Sequence, residues 1–238
     1  MNMKITLLTG KTFDIAREAG IELEVVCSAR AKRLGLRIDA KKRIPVLTVP
    51  RFCSRRQALD FVNAQKTWIE NHLQQLPEQK LFADGDVIVL AGQELVIRHC
   101  PDMRGGTVAE NGVLKVSGGK NFLSRRVRDF IKVQAYDCLS ELSYQKAQKI
   151  NCKVNRIVIK DTKSRWGSCS SLNNINYNWR IMLAPVKVID YLVAHEVAHL
   201  KHHDHSDNFW RCVAELAEDA VYGRGWLKKN GAELNRYT

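Results

Sequence analysis

A chain of 238 residues with 45% hydrophobic content can bury a real core as one large domain or two small ones, which excludes a disordered or low-complexity protein. Its formal net charge of +13 and pI near 9.5 point to anionic partners, phosphates or nucleic acid, against the plainer reading of a solvated basic surface. No stretch is apolar for long enough to span a bilayer, the Met1-Asn2-Met3-Lys4 start lacks a signal-peptide core, and seven cysteines without a C-x-x-C pair read as reduced thiols, so a cytoplasmic protein is expected.

From Ile5 to Pro50 the short β-branched runs Ile21–Val26 and Pro45–Val49 suit strands. Ser54 is placed to cap a helix through about Leu76, with Ala58, Phe61, Val62, Trp68, Ile69 and Leu73 at helical spacing and Pro77 behind it. Short strands follow at Val87–Leu90, Leu95–Ile97 and Val113–Val116, punctuated by glycines, and Gly118-Gly119 marks the expected boundary between modules 1–119 and 120–238. Ser124 then opens a long helix to about Lys149, and Val158–Lys160 reads as a strand. The alternation from Asn174 to Ile181 predicts a half-buried antiparallel strand with Ile175, Tyr177, Trp179 and Ile181 on one face. Pro185 opens a helix to about Leu200, and Ser206 is placed to cap another to about Ala217.

Five of the seven histidines fall between His195 and His205. Within His195-Glu196-Val197-Ala198-His199, residues four apart share a helix face, so His195 and His199 can reach one divalent ion, expected to be Zn2+ at one per chain. Glu196 sits on the neighbouring stripe, where it can take a proton from water without being a ligand. The surrounding Val188, Ile189, Leu192, Val193, Val197 and Ala198 make the helix a buried one, where two imidazoles and a carboxylate without partners would be costly. A catalytic zinc takes three protein ligands. His205 lies ten residues after His195, the spacing of the third histidine in H-E-x-x-H-x-x-G-x-x-H, although His202 occupies the glycine position. His203, Glu215, Glu218 and Asp219 are the other candidates, besides His202.

These motifs, together with Lys163-Ser164-Arg165-Trp166-Gly167-Ser168-Cys169-Ser170, Asn178-Trp179-Arg180 and His205-Ser206-x-x-Phe209-Trp210, resemble the YgjP-like metallopeptidase family. The resemblance spans residues 155 to 230, with a weaker echo at Arg33-Leu34-Gly35-Leu36-Arg37. It implies a zincin-like fold, zinc on the residues matching His195, His199 and His205, a base at Glu196, and kinship with DNA-repair-associated zincin proteases.

The expectation is an α+β chain, a β-rich N-terminal module followed by a zincin-like catalytic module, that hydrolyses a peptide or protein substrate. A nucleotide phosphoanhydride is the rival substrate, since +13 supplies cations, and a nucleic-acid-binding protein with structural zinc is a third reading that leaves Glu196 without a role. Arg165 and Arg180 are candidates for substrate binding, and a surface salt bridge is their alternative. Cys169 lacks an evident base and makes a poor nucleophile. The groups Arg30-Lys32-Arg33, Lys41-Lys42-Arg43, Arg51-Arg55-Arg56 and Arg125-Arg126-Arg128 could line a groove for an anionic chain if the fold gathers them on one face, which would allow an association with nucleic acid.

Overall fold

The computed structural model describes residues 5–6, 12–13, 15–39, 42–74, 78–162 and 165–238, so Lys41, Pro77, Lys163 and Ser164 lie outside the described residues. These residues form two compact units, Met1–Pro77 and Glu78–Thr238. Helices and strands are mixed in both, which makes the protein α+β.

In the first unit, β1 (Ile5–Thr6) and β2 (Thr12–Phe13) pair, and α1 (Ile15–Ala19) precedes β3 (Glu24–Ser28), β4 (Gly35–Asp39) and β5 (Ile44–Pro50). β5 is the central strand, parallel to β3 and antiparallel to β4. Its apolar run packs Leu47 and Val49 with Val25, Ile15, Ala58 and Val62 into a small core. The helix starting after Ser54 has the full reciprocal cap, Ser54 accepting from the Gln57 amide and Gln57 returning to Ser54. It is two helices, α2 (Arg55–Ala64) and α3 (Lys66–Gln74), because the Gln65 amide reaches both Phe61 and Val62 carbonyls and tightens the turn there.

The second unit begins with β6 (Val87–Leu90), β7 (Gln93–Cys100), β8 (Thr107–Glu110) and β9 (Val113–Ser117), ordered β6-β7-β9-β8. Their inward residues Ile88, Leu95, Ile97, Leu114 and Val116 share one core with Val127, Ile131, Ala135 and Leu139 of α4 (Leu123–Lys149). The boundary expected at Gly118-Gly119 therefore falls inside this unit. Ser124 lies within α4 rather than capping it, accepting from the Phe82 amide and donating to the Thr238 carbonyl. Arg126 is occupied locally by Ser117 Oγ at 2.8 Å.

A second sheet, β10 (Arg156–Lys160), β11 (Gly167–Cys169) and β12 (Asn174–Asn178), has the order β10-β12-β11, leaving β11 at the edge. β12 is central, parallel to β10 as well as antiparallel to β11. It ends earlier than the alternation predicts. Asn178 accepts from the Arg180 amide at 3.0 Å and turns Trp179–Leu183 into a 3-10 turn, with Trp179 and Ile181 still buried.

Three helices complete the unit: α5 (Val186–Ala198), α6 (Asp207–Leu216) and α7 (Ala220–Leu234). The buried Lys146 ammonium anchors α5, bonding Asp190 Oδ1 and the Leu216 carbonyl, each at 2.6 Å. This joins α4, α5 and the end of α6 at one point. No helix among the described residues is long and apolar enough to cross a membrane.

Candidate metal centre

The predicted histidine helix exists, and it is apolar because it is walled in: Val188, Val193, Ala194, Val197 and Ala198 are fully buried. His195 and Glu196 lie in its last turn, and His199 is its C-terminal cap residue. The chain then turns back through residues 200–205. Leu200 and Lys201 amides bond three residues back, and the His202 amide bonds the Ala198 carbonyl. No residue of this turn has a positive φ, so the turn needs no glycine and His202 can stand where the extended pattern has one. Ser206 precedes α6 but does not cap it with its side chain; its hydroxyl donates to Asp204 Oδ1 at 2.7 Å, bracing the turn.

The turn returns His205 to the helix. His195, His199 and His205 each offer a ligand atom, and these lie within 4.8 Å of one another, the one such group of three among the described residues. His199 Nδ1 lies 3.0 Å from the His202 carbonyl, and since a carbonyl only accepts, Nδ1 carries the proton and Nε2 keeps its lone pair. The Nε2 atoms of His195 and His205 face each other at 3.4 Å. Tetrahedral ligation at about 2.0–2.1 Å separates neighbouring nitrogens by about 3.3 Å, so this spacing suits a shared ion. Phe209, wholly buried, backs all three rings with centroids 4.4 to 5.0 Å away. Trp210 flanks His195 and His205, with Arg224 stacked 4.4 Å over its ring.

Burial drives the electrostatics. It pushes the His195 pKa down to about 4, helped by His199, His205 and Arg224, and it lowers His199 too, so these imidazoles are neutral, as ligands must be. Glu196, 4% exposed, is pushed up to about 8 by desolvation, with the Arg165 charge opposing. Glu196 Oε2 and His195 Nδ1 are buried without a hydrogen-bond partner. The metal fit rests on the convergence of the three imidazoles, with Nε2 of His195 facing Nε2 of His205 and Nε2 of His199 keeping its lone pair, and these residues suit a divalent metal.

A cleft of about 400 Å³ opens over the cluster, lined by the edge strand β11, Arg165, His203 and the histidines. Gly167 of β11 leaves room for the base there: a Cβ would sit 2.3 Å from Glu196 Oε1. Of the two predicted arginines, only Arg165 reaches this cleft. Arg180 is 6% exposed, pairs with Asp161, donates to the Tyr237 carbonyl at 2.6 Å and stacks 4.5 Å from the Trp179 ring, which is a structural assignment. Among the other ligand candidates, Glu218 pairs with Lys187 and Asp219 caps α7. Burial, with Glu196 nearby, pushes the Cys169 thiol up to about 11, which removes it as a nucleophile at neutral pH.

Sequence reasoning missed the steric role of Gly167, the His202 carbonyl and the Phe209–Trp210 backing, although the last two residues carried the resemblance. A sequence model of the YgjP-like metallopeptidase domain matches residues 32–230. The chain belongs to the YgjP-like family. The match takes in every element of the site just described, from Arg165 to Arg224, and most of the first unit besides. A YgjP-like metallopeptidase domain implies a metal-dependent hydrolase with a peptide or protein substrate. The comparisons with curated proteins and with solved structures gave no match.

Proposed function

We propose that this YgjP-like protein is a zinc-dependent peptidase in which His195, His199 and His205 hold one Zn2+ and Glu196 is the general base. The observation that carries the reading is the convergence of three imidazoles beside a buried carboxylate with an unpartnered oxygen. The all-histidine donor set favours zinc. When bound, the ion supplies Lewis-acid polarisation of the scissile carbonyl.

The chain's own residues do the rest. Glu196 accepts a proton from the attacking water at a carboxylate oxygen and delivers it to the departing amine. Its depth excludes bulk water, and Gly167 lets the carboxyl lie against β11. The free edge of β11 offers backbone groups to an extended peptide, with Ser168 and Cys169 along the cleft. Arg165 supplies the charge that keeps Glu196 ionisable and faces developing negative charge. A phosphoanhydride substrate would call for several cations around its oxygens, and among the described residues Arg165 is the one guanidinium lining the cleft.

The test is a parallel screen of peptides, denatured proteins and nucleoside triphosphates with wild type and Glu196→Gln. Peptide cleavage that falls by roughly 10²-fold or more in the variant, with metal retained, is expected. Release of phosphate or pyrophosphate without peptide cleavage overturns the peptidase reading.

A further inference from the structure

The parallel pairing of β3 with β5 sets Ser28 opposite Pro50, so the loop leaving β3 and the loop leaving β5 emerge side by side at one end of the first unit's sheet. Between Ser28 and Gln57 the chain carries ten lysines and arginines and a single acid, Asp39. Asp39 is buried, accepting from the Lys42 amide, and offers no surface carboxylate. Arg30, Lys32, Arg33 and Arg51 are exposed and make no ion pair among the described residues, whereas Arg55 and Arg56 pair with Glu18 and Asp60.

The two loops enclose a groove of about 700 Å³ lined by Lys32, Leu34, Arg51, Phe52, Cys53 and Gln57 among others. Phe52 is 87% exposed, the most exposed large hydrophobic side chain among the described residues. A phenylalanine in that state, lining a groove together with Lys32 and Arg51, has no folding role to account for it.

We propose that this groove binds single-stranded nucleic acid, a base stacking on Phe52 while Lys32 and Arg51, flanked by Arg30 and Arg33, hold adjacent phosphates. Aromatic faces bind unpaired bases with little sequence preference, and the cations follow the backbone. A duplex keeps its bases stacked internally and gives Phe52 no partner. An acidic peptide satisfies the cations but not the ring, and a membrane has no use for the concave groove.

The test uses the full chain and fluorescein-labelled twenty-nucleotide DNA and RNA strands, read by anisotropy across a salt series. Expected is single-strand binding tighter than duplex binding, weakened roughly 5- to 150-fold by Phe52→Ala. Lys32→Gln with Arg51→Gln should cut the slope of log affinity against log salt by about 1.4, two phosphate contacts' worth. Phe52→Trp, which keeps the stacking face, should bind and show its fluorescence quenched by the strand. Circular dichroism of each variant matching wild type keeps the comparison one of binding. No binding at low salt overturns the proposal. So does duplex binding as tight as single-strand binding and indifferent to Phe52→Ala, and so does stronger capture of polyglutamate or of phosphatidylserine vesicles through the same residues.

Discussion

Replacing Gly167 with alanine adds one methyl group at the point where β11 meets the base. That carbon would lie 2.3 Å from Glu196 Oε1 and 2.6 Å from its Cδ. Ordinary contact needs more than about 3.4 Å, so the carboxyl must retreat by about 1 Å, and a displacement of that size in a catalytic group costs on the order of 10²-fold in rate. Gly167 does not occupy the left-handed backbone region, so the alanine brings no conformational strain of its own. Overpacking a buried site adds roughly 1–3 kcal/mol of destabilisation. The histidines are untouched. The assay pairs zinc content with turnover of the best substrate from the screen: Gly167→Ala should retain metal and lose about two orders of magnitude in kcat. Wild-type kcat in a folded, zinc-loaded Gly167→Ala protein would refute the placement of Glu196 against β11 as the working geometry.

In metal-free protein Glu196 keeps its proton to about pH 8, while the unfolded chain releases it near 4.5. The unfolded state binds fewer protons across that window, so stability falls as pH rises through it, by up to about 5 kcal/mol. Denaturant unfolding across pH should show the stability of metal-free wild type minus that of Glu196→Gln falling over this window; His195, whose lowered pKa adds stability as pH rises from about 4 to 6.5, is common to both proteins and cancels in that difference. In α7, Gly223→Ala would place a Cβ 2.3 Å from Tyr191 Cβ and should destabilise by about 1–3 kcal/mol in urea unfolding, whereas Gly225→Ala meets nothing within 4 Å and should be neutral or stabilising.

The histidine cluster was legible because its signal is local: four-residue spacing on one helix and a third histidine ten residues on need no knowledge of the fold. What surrounds it was not. Helix α7 went unread because Gly223, Gly225 and Gly231 depress helix propensity, and two of them are there for packing, Gly223 against Tyr191 and Gly231 against Trp166. The alternation through Ile181 describes burial correctly and the backbone wrongly, since the Asn178 side chain ends the strand while Trp179 and Ile181 stay inside. Arg180, polar and flanked by apolar residues, reads as a binding group in sequence; the fold spends it on Asp161 and a carbonyl of the C-terminal segment. Lys32 and Arg51 of the first unit meet at one groove only because β3 and β5 run parallel, a long-range pairing that no local pattern announces.

Metal content tests the central claim most directly. Wild type is expected to hold one zinc per chain after purification and dialysis, His195→Ala, His199→Ala and His205→Ala should each lose it, and His203→Ala, which removes a cleft-lining imidazole outside the ligand cluster, should keep it. Zinc retained in all three ligand variants, or failure of the folded wild type to bind a stoichiometric divalent ion, would contradict the account.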